Sequence, residues 1–290
     1  MTLDLESPCK VNLLLNILGK RPDGFHELET VMQPIRLFDG LTLRRGGVGI
    51  ELTCSEASLP TDGRNLVHRA AARFLEAAQI KEGVVLHLDK RLPLAAGLGG
   101  GSANAAVTLL GLNRLFDGPL SAPELETIAT GLGSDVPFFL QTQPALATGR
   151  GERIEPLAPF QALNGAACLL IHPGFGISTP WAYQQLARFP SALNGKPGRA
   201  QKLIALLRGA DLRAVGAEFY NSLEAPALEK YVLLAVFQDF LSSEGAEAVL
   251  MSGSGSTTFA LTSSLEAAEE LADKFRAKFG LSYWVKAVPA

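Results

Sequence analysis

A strand that empties into a glycine cluster and then into a helix permits few folds and few uses. This chain has such a junction. Val84 to Leu88 alternates like a short strand and Lys90-Arg91-Leu92-Pro93 leads away from it. Gly97, Leu98, Gly99, Gly100, Gly101 and Ser102 then precede an apolar helical run reaching about Phe116. Glycines allow a backbone to come close to an anion and turn its N–H groups inward. The helix behind them adds unsatisfied N–H groups and a partial positive charge, which favour phosphate. The same cluster also suits a turn packed tightly beside a helix. No Gly-Lys-Ser/Thr closes it, so it is not a Walker loop, and Ser102 stands at the third glycine position of a dinucleotide fingerprint.

Upstream, Lys10 to Leu18 reads as a strand with Val11, Leu13, Leu15 and Ile17 on one face and Lys10, Asn12 and Asn16 on the other. Two groups two residues apart on a strand point the same way about 6.6 Å apart, a spacing suited to one ligand. A turn at Arg21-Pro22-Asp23-Gly24 ends in Phe25-His26. Strand-like runs follow at Thr30 to Phe38, Leu41 to Arg45 and Gly49 to Cys54. Val67, Ala70, Ala71 and Phe74 recur at helical spacing behind Asp62-Gly63-Arg64-Asn65, which supplies capping residues. Ser121 and Glu124 fit a capping box. Gly131 to Asp135 then breaks that helix before the apolar run Val136 to Leu140.

The Pro-containing stretch between Ile154 and Asn164 marks a boundary, dividing the chain into residues 1–158 and 159–290. Beyond it, Ala166 to Ile171 reads as a buried strand, and Thr179-Pro180 opens a helix with proline at its first position. Leu233, Val236, Phe237, Phe240 and Leu241 form a helical stripe. Ala246 to Met251 and Thr257 to Leu261 read as strands around Ser252-Gly253-Ser254-Gly255-Ser256, and a helix from Leu265 to Phe279 follows. Helices and strands without steady βα alternation indicate an α+β fold rather than a doubly wound one.

Single features leave alternatives open. Asp135 either caps the turn that follows it or accepts or orients a hydroxyl proton. Lys10 is either a ligand group or a solvated strand lysine, and Thr179 either caps a helix or faces a ligand. Phe25 and His26 suit a core-packed turn aromatic and a surface imidazole as well as a binding site. Ser252 to Ser256 is either a functional loop or a flexible connection between strands.

A formal net charge of -3 provides no positive field for nucleic acid. The charge-free stretches Leu92 to Asn113 and Pro156 to Ala187 are broken by glycine or proline, so no membrane span is expected. Cys9, Cys54 and Cys168 show no metal-ligand spacing and suit free thiols in a reducing compartment. With no basic and apolar leader pattern in Met1 to Pro8, the expected location is cytoplasmic.

In their order along the chain these segments resemble the GHMP kinases, the family of galactokinase, homoserine kinase, mevalonate kinase and phosphomevalonate kinase. An N-terminal strand segment, the Pro-x-x-x-Gly-Leu-Gly loop at Pro93 to Gly99 and the late Gly253-Ser254-Gly255 match its three motifs. Ser7 to Leu13, Arg21 to His26, Gly97 to Ser102 and Gly133 to Phe138 narrow the likeness to the branch that phosphorylates a cytidyl-diphosphate methylerythritol.

The resemblance implies a two-domain α+β fold, ribosomal-S5-like at the N-terminal side and ferredoxin-like at the C-terminal side, with the site in the cleft between them. ATP would be the phosphate donor, held through Pro93, Gly97, Leu98, Gly99, Gly100, Gly101 and Ser102, with Asn65 and Leu66 at its nucleoside. Asp135 would take or orient the hydroxyl proton, and Lys10 would hold Asp135 ionised and stabilise developing charge. Asn12 would contact the acceptor. Its cytosine would stack between Phe25 and Tyr183, with His26 hydrogen-bonding the base and Thr179 nearby. Mg2+ would arrive mostly on ATP phosphates and water, and no residue is assigned as its ligand.

This chain departs from the family at three points. Phe25 stands where many members have tyrosine, and Cys9 where alanine is usual. Gly100-Gly101-Ser102 lacks one serine that helps bind magnesium in some relatives. Other readings are a kinase for another alcohol such as homoserine or mevalonate, an ATP-dependent decarboxylase on the same fold, and a nucleotide sensor without turnover. Lys10 and Asp135 together speak against the last.

Overall fold

The computed structural model describes residues 2–209 and 211–290. The chain forms two compact units, each assembled from separate segments. Two long strands, β1 (Thr2–Lys20) and β2 (His26–Arg45), run from one unit into the other.

The first unit comprises the segment up to Cys9, Leu37–Leu92 and Gly99–Thr142. It adds β3 (Ile50–Cys54), α1 (Leu66–Ala77), β4 (Val84–Asp89), α2 (Gly100–Leu115) and α3 (Ala122–Leu132). β4 pairs antiparallel with β2, Gly40 opposite Asp89 and Arg45 opposite Val84, and parallel with β3, Ile50 opposite Val84. A parallel neighbour needs a crossover, which α1 supplies. The helical spacing of Val67, Ala70, Ala71 and Phe74 is realised as the buried face of α1. Gly111 lets α2 lie close over the strands, because a Cβ there would come 2.3 Å from Leu43 Cδ1 and 2.5 Å from Leu5 Cδ1. That close seat fixes where the N-terminus of α2 opens.

The second unit comprises Lys10–Arg36, Pro93–Leu98 and the chain from Gln143 onward. It contains β5 (Ala145–Gly149), β6 (Arg153–Pro156), β7 (Ala167–His172), α4 (Thr179–Gln185), β8 (Tyr220–Asn221), β9 (Ala248–Met251), β10 (Thr258–Thr262) and β11 (Trp284–Pro289). β5 pairs antiparallel with both β2 and β6, and β8 pairs parallel with β1, Leu15 opposite Asn221. A separate four-stranded antiparallel sheet has the order β11-β7-β10-β9. All of β7 and β10 is buried. The helices Val232–Ser243 and Leu265–Phe279 bring Phe237 and Phe275 edge to face, with ring centroids 4.8 Å apart.

Several local expectations change. Asp39-Gly40 does not break β2, because the Asp39 carboxylate takes tertiary partners and Gly40 pairs across to Asp89. The cap of α4 is Ser178, so Thr179 is the first helical residue. In the helix Val232–Ser243 the buried stripe is Leu234, Phe237 and Leu241, while Val236 is 43% exposed. Glu124 does close on Ser121, accepting from its N–H at 2.8 Å. Cys9, Cys54 and Cys168 form no disulfide. No described helix is long and apolar enough to cross a membrane.

Candidate active site

The glycine loop has two kinds of glycine. Gly97 and Gly99 have φ of 77° and 71°, a region in which a Cβ is strained. Gly97 also lies against the late glycine segment, and a Cβ on it would fall 2.0 Å from the Ser252 carbonyl oxygen. Gly99 instead heads α2. The Ala103 N–H donates to the Gly99 carbonyl at 2.9 Å. The N–H groups of Gly100, Gly101 and Ser102 therefore precede the first intrahelical bond and have no acceptor within the helix. No acidic residue stands in that first turn, which leaves the helix end suited to an anion.

Within the second unit, Lys10 is 3% exposed and its ammonium is closely held. Nζ donates to Asn12 Oδ1 at 2.5 Å and to the Gly97 carbonyl at 3.0 Å, while the Lys10 N–H donates to the Leu98 carbonyl at 3.0 Å. Asn12 Nδ2 donates to Thr30 Oγ1 at 2.8 Å, and that hydroxyl donates to the Leu14 carbonyl. Asn12 is thereby turned with its oxygen toward the ammonium. Ser252 Oγ also donates to the Gly97 carbonyl, and a Cβ on Gly253 would lie 3.3 Å from Lys10 Nζ. The late glycine segment, Lys10, Asn12 and Gly97 thus form one cluster. Asn16, on the same strand face, does not join it. Its amide donates to Glu29 at 2.9 Å and to the Lys196 carbonyl at 2.8 Å, anchoring the chain around residues 195–200.

Phe25, His26, Thr179 and Tyr183 lie in the same unit. Phe25 is 52% exposed, and the Arg150 guanidinium carbon sits 4.6 Å from its ring centroid, a cation–π contact. Tyr183 stands against His26, with ring centroids 5.0 Å apart and planes 41° apart. Burial, with the nearby Lys20 ammonium, holds the His26 imidazole below its ordinary range. At neutral pH it is uncharged, presenting one donor and one acceptor nitrogen. Thr179 and Ser254 hydroxyls meet at 2.8 Å, tying the start of α4 to the late glycine segment.

In the first unit, Asn65 is the cap of α1. Its Oδ1 accepts from the Val67 N–H at 2.9 Å and its Nδ2 donates to the Pro60 carbonyl at 2.8 Å. Leu66 follows, with Cδ1 3.6 Å from the place a Cβ on Gly101 would take. Asn65 and Leu66 therefore stand beside the start of α2. Asp135 is half-buried in the bend after α3, one residue ahead of Val136, which heads the turn Pro137–Leu140.

Two polar groups escape a sequence reading. Asp39 is fully buried and pairs with Lys90, whose side chain is 5% exposed. Asp39 also accepts from the Arg91 and Leu92 N–H groups at 2.8 Å each and from Asn104 Nδ2 at 3.0 Å. The network braces the chain leading into the loop and the first turns of α2. The second group is Asn221 and Glu224, which hold the late glycine segment. Both sets join residues far apart in sequence, and no local spacing signals them. No described group of three or more His, Cys, Asp or Glu residues could hold a metal.

In the first unit the open helix start suits a phosphate group. In the second, a buried lysine beside a glycine carbonyl, with the late glycine segment packed on that glycine, suits stabilisation of developing charge. Residues 65–143 match the family described as the GHMP kinases N terminal domain, and residues 203–281 match the GHMP kinases C terminal family. The chain belongs to the GHMP kinase family and has its fold. It is 42% identical over 286 residues to a protein of Synechococcus sp. (strain JA-2-3B'a(2-13)) named 4-diphosphocytidyl-2-C-methyl-D-erythritol kinase, covering 96% of this chain and 91% of that one. A Pelotomaculum thermopropionicum protein of the same name is 41% identical, with 95% and 94% covered. Among solved structures, a crystal structure of 4-(cytidine 5'-diphospho)-2C-methyl-D-erythritol kinase superposes with a TM-score of 0.80 at 33% identity, covering 99% of this chain and 100% of that chain.

Proposed function

We propose that this chain transfers the γ-phosphoryl group of ATP to the 2-hydroxyl of 4-diphosphocytidyl-2-C-methyl-D-erythritol, a step of the non-mevalonate route to isoprenoid precursors. Identity of about 40% over nearly the full length with relatives of that name carries the reading. The buried cluster of Lys10, Asn12 and Gly97 supplies its chemistry.

Phosphoryl transfer demands positioning and charge stabilisation more than covalent work. The N–H groups at the start of α2, with Pro93, Gly97, Leu98 and Gly99 shaping the loop, bind the triphosphate, and Asn65 and Leu66 adjoin the nucleoside. Lys10 neutralises charge that develops on the transferred group, and Asp135 takes or orients the acceptor proton. Asn12 holds the lysine and borders the acceptor. Phe25 and Tyr183 offer ring faces to the cytosine, worth about 1–3 kcal/mol per stacked base. His26, neutral, can pair with the base edge, and Thr179 lies at the same end. Magnesium would arrive on the nucleotide phosphates and water, and the α2 start, with no acidic residue in its first turn, fits the phosphates that would carry it. When bound, it offsets phosphate charge.

The functional division at residue 158 belongs to this reading, with the two family matches on either side of it. So does a cytoplasmic location, which suits soluble substrates. ADP release measured with several alcohols tests the assignment. Turnover is expected with the cytidyl-diphosphate acceptor and not with homoserine or mevalonate. Faster turnover on either of those would overturn it.

A further inference from the structure

The late glycine segment touches the cluster of Lys10, Asn12 and Gly97, yet its own backbone makes few local hydrogen bonds. Ser252 N–H donates to the Thr257 carbonyl and Gly255 N–H to the Ser252 carbonyl, both at 2.9 Å. Ser252 Oγ and the Thr257 N–H tie it to the Gly97 and Ala96 carbonyls, at 3.0 and 3.1 Å, and a different part of the second unit holds it from the other side.

Asn221 is 2% exposed, and its amide grips this segment from behind. Nδ2 donates to the Met251 carbonyl at 2.8 Å and to the Gly253 carbonyl at 2.7 Å. Oδ1 accepts from the Leu223 N–H at 2.9 Å, which fixes which way the amide points. Both amide hydrogens therefore go to the chain entering the glycine segment, one to its flanking residue Met251 and one to Gly253. Three residues on, the Glu224 carboxyl accepts from the Met251 N–H at 2.8 Å. The same short stretch is locked to β1. Leu15 faces Asn221 in the parallel pairing, Ser222 N–H donates to the Leu15 carbonyl at 2.8 Å, and Ile17 N–H donates to Ser222 Oγ at 3.0 Å.

β1 carries Lys10 and Asn12, and the glycine segment carries the carbonyl of Ser252 under Gly97. We infer that Asn221 is a positioning residue: it ties the strand that bears Lys10 to the segment that packs on Gly97, and so sets the Lys10 ammonium relative to the loop. This rests on the kinase reading above, in which Lys10 acts on the transferred phosphoryl group.

An interaction used mainly in the transition state shows as a loss of kcat with little change of KM. Asn221→Asp is nearly isosteric and keeps the acceptor for Leu223 N–H. As a carboxylate, however, it points an oxygen at two carbonyls, and only its protonated form can donate to one of them. The expected result at pH 8 is a kcat lower by ~10²-fold, the scale of an ångström misplacement, with KM for ATP and acceptor within about threefold. Relative to wild type at each pH, the loss should shrink about tenfold at pH 6 as the introduced acid takes up a proton. Asn221→Ala removes both amide donors without adding charge and serves if the aspartate variant does not fold. Its kcat loss should be the same at both pH values.

Folded Asn221→Asp with wild-type kcat at pH 8 would overturn the inference. So would a loss that is equal at pH 6 and pH 8, or one confined to KM. If wild type itself fails to turn over the cytidyl-diphosphate acceptor, the kinase assignment is at fault. Wild-type turnover with unaffected variants faults Asn221 alone.

Discussion

Replacing Gly97 with alanine probes the packing on which the site depends. The added Cβ would lie 2.0 Å from the Ser252 carbonyl oxygen, where contacts under 3.0 Å essentially never occur, so the two backbones must separate by about 1 Å. Neither yields easily. Ser252 is pinned by its own N–H to Thr257 and by the Asn221 amide on the flanking Met251 and Gly253 carbonyls, and Gly97 accepts from Lys10 and Ser252. A φ of 77° adds about 1–2 kcal/mol for a residue with a Cβ, and overpacking adds about 1–3 kcal/mol. The expected destabilisation is therefore ~2–5 kcal/mol, read by urea unfolding. An ångström displacement beside Lys10 should lower kcat by ~10²-fold in the folded fraction. Gly101→Ala is the control, since its Cβ meets only Leu66 Cδ1 at an ordinary 3.6 Å. It should fold like wild type, and any loss in it should be of ATP affinity. Gly97→Ala with stability within about 0.5 kcal/mol of wild type and unchanged kcat would refute the argument.

Three further outcomes are expected. Asp135→Ala should lower turnover by ~10²–10⁴-fold while ATP binding, followed by calorimetry, survives; wild-type turnover would remove Asp135 from the proton path. His26 is held neutral by burial and by Lys20, so lowering the pH through its depressed range should raise the acceptor KM as its acceptor nitrogen is lost. His26→Ala should have a high KM without that pH dependence, and an acceptor KM unchanged from wild type would exclude the base contact. Glu224, pushed up by burial from an ordinary 4.5 to about 7, binds its proton more tightly folded than unfolded. Its contribution to stability is full below pH about 4.5 and declines as pH rises toward 7, by up to ~3 kcal/mol, with no further change above. Glu224→Gln should flatten that slope in denaturant unfolding between pH 5 and 8, and an identical slope in both proteins would contradict the assignment.

The parts of the site legible in the sequence are those whose geometry is local. Two-residue periodicity places Lys10 and Asn12 on one strand face, and a glycine cluster before a helical pattern places free N–H groups at its start. The periodicity could not separate Asn16, which shares that face but is drawn into a buried network by Glu29 and the chain around Lys196. Thr30 to Phe38 and Leu41 to Arg45 read as two separate runs, yet β2 continues through Asp39, whose carboxylate is held by a lysine and an asparagine 51 and 65 residues away. Asn221 sits in a strand of two residues, too short for any periodic signal, and its partners are 30 and 32 residues away. Ser178 rather than Thr179 caps α4 because either hydroxyl could accept the bond, and the fold turns Thr179 toward Ser254.

The most direct measurement is phosphorus NMR of the protein incubated with ATP, magnesium and 4-diphosphocytidyl-2-C-methyl-D-erythritol. A new phosphomonoester signal should grow in step with ADP while the cytidyl diphosphate signals persist, and Lys10→Ala and Asp135→Ala should each suppress it. ADP formation with no phosphomonoester, or no reaction at all from folded wild-type protein, would contradict the account.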